Sequence, residues 1–252
     1  MSKGFLVAIL ALATMAQAHA ADFRKAPRLR DPGPIVSAPK WAGWYVGINA
    51  GGAWGTKTFN YNDPGTIPFL WSAAVPVNGM FLGGQIGYNF QNGPWVYGIE
   101  ADGDWANIKG QNICNTTVFF VNCTANIHAL GTVTGRAGIA VDNALLYIKG
   151  GLAMARDEFT ISNVALPPLA TAFSSTVSDT RMGWTFGAGL EYMLFSAWSA
   201  KLEYNYMDFG TKRYDFPIAA AAIPANTFRG WEDTQRVHLV KVGLNYHFGN
   251  LF

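Results

Sequence analysis

The most reactive side chains in this sequence belong to two cysteines and four histidines. Cys114 and Cys123 lie close together in a stretch without helical or strand periodicity. In a chain exported to an oxidising compartment they favour a disulfide. Closing a loop of about ten residues stabilises by roughly 2.5–3 kcal/mol in the chain-entropy account. Two cysteines alone do not supply the four ligands of structural zinc, so no metal centre is expected. Hydrolytic chemistry would need a nucleophile beside a base. His128 is followed by Ala129-Leu130 and His238 by Leu239-Val240, so neither has a serine two residues on along a strand. A triad assembled from distant strands stays open. No cofactor motif emerges.

The elements around these residues begin with a leader. Lys3 supplies a positive start, Gly4 to Ala16 an apolar run, and Ala18-His19-Ala20 a small-x-small cleavage site, so residues 1–20 read as a signal peptide. His19 would leave with it, and the mature chain would start at Ala21. The apolar run is too short for a membrane-spanning helix and no longer one follows, which argues against a helical membrane protein. No cysteine follows the cleavage site, so a lipid anchor there is not expected. Residues 21–40 carry Arg24, Lys25, Pro27, Arg28, Arg30, Asp31, Pro32, Pro34 and Pro39 and read as an extended tail unable to bury a core.

Composition narrows the class of the remainder, residues 41–252. Half of the chain is hydrophobic, 14% aromatic and only 13% charged, with 28 glycines. A soluble domain normally carries about a quarter charged residues. The net charge of +2 and the lack of a basic run argue against nucleic acid as a partner.

Eight segments alternate apolar with small or polar residues: Trp44 to Gly55, Gly79 to Phe90, Trp95 to Ile108, Ile127 to Val141, Ala144 to Arg156, Arg181 to Tyr192, Trp198 to Asp208 and Arg236 to Phe248. Short connections (Gln91 to Pro94, Asp142-Asn143, Met193 to Ala197) alternate with long ones (Thr56 to Asn78, Lys109 to Asn126, Asp157 to Thr180, Phe209 to Gln235). That alternation predicts an all-β, eight-stranded antiparallel transmembrane β-barrel in an up-and-down meander, with termini and short turns in the periplasm and four long loops outside the cell.

One parity of each strand is greasy. Trp44 and Trp54, like Trp95 and Trp105, are ten residues apart on that parity. At about 3.3 Å per residue and a tilt near 40° they stand roughly 25 Å apart along the membrane normal, the height of an apolar band between two aromatic girdles. Trp184 and Tyr192 join this girdle set. The other parity is glycine-rich and carries Glu100, Asp102, Asp104, Arg136, Lys149, Glu191, Lys201, Glu203 and Lys241. So few charges would make a poor solvated exterior, which sets this barrel apart from a soluble one with an apolar inside. Desolvated charges must pair, so they are expected to form an ion-pair network inside. A conducting lumen is the alternative; with eight strands the interior is just wide enough for side chains, so a polar plug is expected.

These residues resemble the outer-membrane β-barrel family of alphaproteobacterial surface antigens, opacity-type or immunogenic porin-like proteins. The resemblance rests on Trp44-Tyr45-Val46-Gly47 with Gly51-Gly52, Gly83-Gly84-Gln85-Ile86-Gly87-Tyr88-Asn89, Gly187-Ala188-Gly189-Leu190-Glu191-Tyr192, and Val242-Gly243-Leu244-Asn245-Tyr246-His247-Phe248. It covers the chain from about Trp41 onward and implies a barrel without specifying an activity. Tyr246, Phe248 and the last residue, Phe252, share a parity and resemble the signal read by the barrel-assembly machinery, although Asn250 departs from its apolar pattern. Ala21-Asp22 is similar to the start of relatives cross-linked to peptidoglycan. Some relatives bind haem; Tyr61, Tyr214 and His128 are the corresponding candidates. Partners implied are outer-membrane lipids and lipopolysaccharide, the assembly machinery, peptidoglycan, and host or haem ligands at the loops. The expected role is a non-enzymatic surface protein of the cell envelope, with a small porin, a haem receptor or a lipid A-modifying enzyme as alternatives.

Overall fold

The computed structural model describes residues 41–61, 71–115, 120–163, 174–214 and 231–249. The leader, the tail with Ala21, and Phe252 lie outside the described residues. Eight strands follow in order: β1 (Gly43–Tyr61), β2 (Trp71–Asn92), β3 (Trp95–Asn115), β4 (Phe120–Val141), β5 (Ala144–Asn163), β6 (Ser174–Phe195), β7 (Trp198–Tyr214) and β8 (Trp231–Gly249). Each pairs antiparallel with its sequence neighbours, and β1 pairs with β8 to close the barrel. Closure leaves no strand edge unpaired, a requirement for backbone placed in hydrocarbon.

The tight turns are built by residues that tolerate positive φ. Gly93 (+59°), Asp142 (+51°) and Ser196 (+22°) turn the chain between β2 and β3, β4 and β5, and β6 and β7. The carbonyls of Pro94, Asn143 and Ala197 each accept a hydrogen bond, at 2.7–2.8 Å, from Ala140, Met193 and His247 on the following strand pair, which ties the turn end of the barrel together.

The strands are much longer than the alternation of apolar residues implies. They run from 17 residues in β7 to 22 in β2, against the 9–11 that cross a bilayer. At about 3.3 Å per residue and 40° of tilt this is roughly 45–55 Å of wall, about twice the apolar band. Apart from two or three residues at the turn ends of β2 and β6, the excess lies on the side of the long connections. Much of the sequence read as loop is therefore strand: β1 continues through Lys57 to Tyr61, β2 begins at Trp71, β5 runs on through Asp157, and β8 begins at Trp231.

The physical reason is a reversal of polarity on strands that keep their parity, except β4, where a bulge shifts it by one residue. Below Trp54, Trp105, Trp184 and His238 the wall is apolar outside and polar inside. Above that level the outward residues become Thr56, Asn60, Asn78, Lys109, Arg156, Thr180, Ser178 and Arg236, while the inward ones become Phe59, Val75, Val77, Ile108, Ala125, Ile127, Phe159, Ile161 and Val237. A strand whose outside meets water instead of lipid buries its apolar residues inward. The inner face is thus not polar along its whole length, as the glycine-rich lower half suggests. A β-bulge at His128, where Ile127 pairs with Asp157 and Ala129 with Arg156, adjusts β4 near this level.

Cys123 points inward and is buried. The β3–β4 register places Cys114 opposite Val121 and Cys123 opposite Asn112, so both sit on one face of neighbouring strands, two residues out of register. The side chain of Cys114 lies outside the described residues, as do those of Tyr61 and Tyr214.

A wall that stands clear of the membrane makes a labelling prediction. Asn60→Cys should react with a membrane-impermeant maleimide on intact cells, and Leu152→Cys only after detergent extraction. Equal reactivity of the two, or protection of Asn60→Cys, would contradict this depth assignment.

Candidate functional site

Among the described residues the densest gathering of reactive groups is in the interior, which is filled in layers. At the turn end Trp41, fully buried, corks the mouth together with Val96, Leu145 and Met193. Its backbone N–H donates to Gln91 Oε1 at 2.8 Å, its carbonyl accepts from Asn89 Nδ2 at 3.1 Å, and its indole meets the His247 ring edge-on at 5.6 Å.

Above this cork lies the charged layer. All nine charged residues singled out in the sequence (Glu100, Asp102, Asp104, Arg136, Lys149, Glu191, Lys201, Glu203 and Lys241) face the lumen and are buried. They form one connected set. Glu100 is its hub: Lys149 Nζ donates to it at 2.6 Å, Lys201 Nζ at 3.3 Å and the Tyr45 hydroxyl at 2.7 Å, while the Arg136 guanidinium stands 3.7 Å away. Lys149 also donates to Glu203 at 3.1 Å and lies 3.6 Å from Asp102. Lys241 links Asp102 and Asp104 at 3.0 and 3.2 Å. Arg136 reaches Glu191 at 3.2 Å and is stacked over the Tyr45 and Tyr147 rings. Inward glycines make this possible: Gly87 and Gly189 lie directly under the Tyr45 and Tyr147 rings, where a Cβ would collide.

Several members of this layer carry no charge and were not among the candidate lumen residues, which were chosen by charge. Asn49 donates to Gln85, Gln85 to Asn245 and Asn245 to Glu191, each at 2.6 Å, a relay of amides that crosses three strands. Tyr147 and Asn205 donate to Glu203, and Thr132 to Asp102. The inward parity of each strand was the signal that could have found them.

A second ionic set sits higher, embedded in the apolar part of the lumen. Lys57 lies 3.2 Å from Asp157. Arg181 Nη1 donates to Asp233 at 2.6 Å and to Gln235 at 3.3 Å, while its Nη2 donates to the carbonyls of Gly210 and Asp233. Lys57, Asp157 and Asp233 fall in segments read from sequence as loops. Phe59 and Phe159 stack above them at 4.3 Å, and Phe81, Leu130, Met207 and Leu239 separate them from the lower layer.

The structure also brings together a serine, a histidine and a carboxylate. Ser199 Oγ lies 2.9 Å from His247 Nε2 and donates to Glu191, and Glu191 Oε1 is 3.3 Å from the same Nε2. A hydrolytic triad needs the carboxylate on the other ring nitrogen, leaving the serine proton to the histidine. Here Glu191 itself accepts the serine hydroxyl's hydrogen bond, and Trp41 covers the group. The arrangement is a structural clasp between β6, β7 and β8. His247, part of the closing sequence motif, belongs to this interior group.

On the outside, Trp44, Trp95 and Tyr192 ring the turn end, and Trp54, Trp105 and Trp184 the opposite boundary; all six are exposed. Tyr246 and Phe248 also face outward. His238 stacks on Trp54 and lies 2.7 Å from the Tyr204 hydroxyl, within the upper girdle. His128 is exposed at its bulge, 3.8 Å from Glu158.

Burial pushes the Asp233 carboxyl up to about 6 from 3.8, against the pull of Lys57 and Arg181. A carboxyl whose folded-state value is raised binds its proton more readily folded than unfolded, so this group makes the barrel more stable as pH falls from about 7 towards 4. The full effect is about 3 kcal/mol. Asp233→Asn should remove that part of the pH dependence in urea unfolding of the refolded barrel. An unchanged profile would contradict it.

Comparison with known proteins agrees with this architecture. The family model described as "Outer membrane protein beta-barrel domain" matches residues 5–248. The chain is 32% identical to the 31 kDa outer-membrane immunogenic protein of Brucella melitensis, over 98% of this chain and 100% of that protein. It is 30% identical to the 25 kDa outer-membrane immunogenic protein of Brucella abortus (86% and 84% covered) and 28% identical to the 22 kDa outer membrane protein of Rhizobium leguminosarum (85% and 82%). Among solved structures, OprG of Pseudomonas aeruginosa matches with a TM-score of 0.46 at 12% identity, over 82% of this chain and 97% of that one. The chain belongs to the outer membrane protein beta-barrel family, and its site of action is the outer membrane.

Proposed function

We propose that this protein is a closed, non-enzymatic barrel that contributes to the integrity of the cell envelope and holds its extracellular connections, and the wall beneath them, in front of host, neighbour or ligand. The filled lumen supports this reading. A path through the barrel would have to pass Trp41, the Glu100 network, the Phe81–Leu130–Met207–Leu239 layer and the Lys57–Arg181 set, each of them buried. A channel needs water along its length and ligands weak enough to release an ion; paired charges sandwiched between apolar layers provide neither.

The same layering accounts for stability without chemistry. The clasp of Ser199, His247 and Glu191 and the hub at Glu100 bind strands that are distant in sequence, so their work is to hold the wall closed. Specificity then falls to the connections between β1 and β2, β3 and β4, β5 and β6, and β7 and β8. A Cys114–Cys123 disulfide bracing the second of these belongs to this reading; thiol blocking before and after reduction reports on it. The immunogenic relatives favour the same surface-exposed role.

Planar-bilayer conductance of the refolded chain from Ala21 onward tests the proposal, with a Glu100→Ala/Lys241→Ala variant alongside. With insertion confirmed by the heat-dependent gel-mobility shift, the wild type should be electrically silent. Stable channels whose selectivity changes in the variant would replace the display barrel with a pore.

A further inference from the structure

The outer surface of β2 to β5 has two features that the closed barrel does not need. The first is a depression in the lipid-facing wall. Gly84, Gly103 and Gly131 are direct register partners on β2, β3 and β4, all on the outward parity, with Ala101 and Ala129 beside them in the rows below and above. Nothing stands within 4 Å of where a Cβ on Gly103 would be, and the glycines at 84 and 131 would meet only contacts of ordinary length. Packing inside the barrel therefore does not require them to be glycine. Ile48, Leu82 and Ile86 stand along one side of the depression, Val133, Leu152 and Met154 along the other, and Trp105, 79% exposed, stands at its upper edge between Leu82 and Ala129. Three strands make it about 10 Å across.

The second feature is charge. Directly above the depression, at the level where the wall leaves the membrane, Arg156 lies in the same register row as Trp105 and Ala129, and Lys109 stands four residues further along β3. Both are exposed. The outward bulge of β4 presents His128 between them, 3.8 Å from Glu158. Elsewhere on this rim the cations are matched: Arg236 pairs with Asp208 at 3.2 Å, Lys212 pairs with Asp179, and Arg213 stands opposite Glu232. Among the described residues Lys109 and Arg156 form no ion pair, and the one carboxylate placed in their patch is Glu158, which shares the register row of Lys109 and lies against His128.

We infer that this face is a seat for one phosphorylated lipid of the outer leaflet, with acyl chain in the Gly84–Gly103–Gly131 depression under Trp105 and headgroup phosphate between Lys109, Arg156 and His128. The charge complementarity selects this occupant. A second copy of the chain would bring the same cations into the contact, and an unphosphorylated lipid would leave them unmatched. A cation near a membrane surface favours an anionic headgroup, and the guanidinium of Arg156 can hold two phosphate oxygens at once. The inference requires only the outer-membrane placement and holds whether or not the lumen conducts.

Native mass spectrometry of the detergent-purified barrel, incubated with bisphosphorylated lipid A or with its dephosphorylated form, tests it. The wild type should retain the phosphorylated lipid in preference. Lys109→Ala/Arg156→Ala should lower retention of the phosphorylated form roughly 10- to 30-fold and leave the dephosphorylated form unchanged. Gly103→Leu, which fills the depression from open space, should lower both. Lys212→Ala/Arg236→Ala should lower neither. Folding of each variant is verified by its heat-dependent mobility shift. Equal retention of the two lipids by the wild type, or a Lys109→Ala/Arg156→Ala variant that binds normally, would overturn the proposal. So would displacement by millimolar inorganic phosphate, which would mark an anion site and not a lipid seat.

Discussion

Eight strands enclose room for side chains and for almost nothing else, and the rest of this structure follows from that limit on interior volume. A charge placed there loses its water and must be compensated by another charge or by hydrogen bonds. Glu100 meets this condition with Lys149, Lys201, Arg136 and the Tyr45 hydroxyl. Those partners come from β5, β7, β4 and β1, so the compensation of a single carboxylate fixes the relative position of five strands. Removing one partner of a buried pair costs about 3–5 kcal/mol because it strands the other. The network therefore has little tolerance for a wall that opens.

Outside the barrel the constraint changes with height. In the lower half the neighbour is hydrocarbon, and the outward parity is apolar while the inward parity carries charges, amides and glycines. In the upper half the neighbour is water, and the same parities exchange character, with Phe59, Ile108, Ile161 and Val237 inside and threonine, asparagine and charged residues outside. The boundary is marked by Trp54, Trp105, Trp184 and His238. One continuous set of strands is thus a membrane barrel below and a water-facing barrel above.

This division explains what could be read from the sequence. Parity, tight turns and girdle tryptophans are local features with a single cause, so Trp44 and Trp54 faced lipid and Asp142-Asn143 turned the chain where their chemistry implied. The strand ends were not legible, because a reading that looks for apolar residues outside stops where lipid stops. Lys57, Asp157 and Asp233 then fell into apparent loops, although each keeps the inward parity of its strand. The partners of His247 and the alignment of Gly84, Gly103 and Gly131 depend on register between strands, which one strand's sequence does not carry.

Ion pairing at Glu100 is the central claim, and a double-mutant cycle on the refolded barrel tests it most directly, using Glu100→Gln, Lys149→Met and the two combined in equilibrium urea unfolding. Each single substitution should destabilise the barrel, and the pair together should cost about 2–3 kcal/mol less than the sum. Additivity within about 0.5 kcal/mol would show that the two groups do not depend on each other. In that case the network would not be what holds the barrel closed.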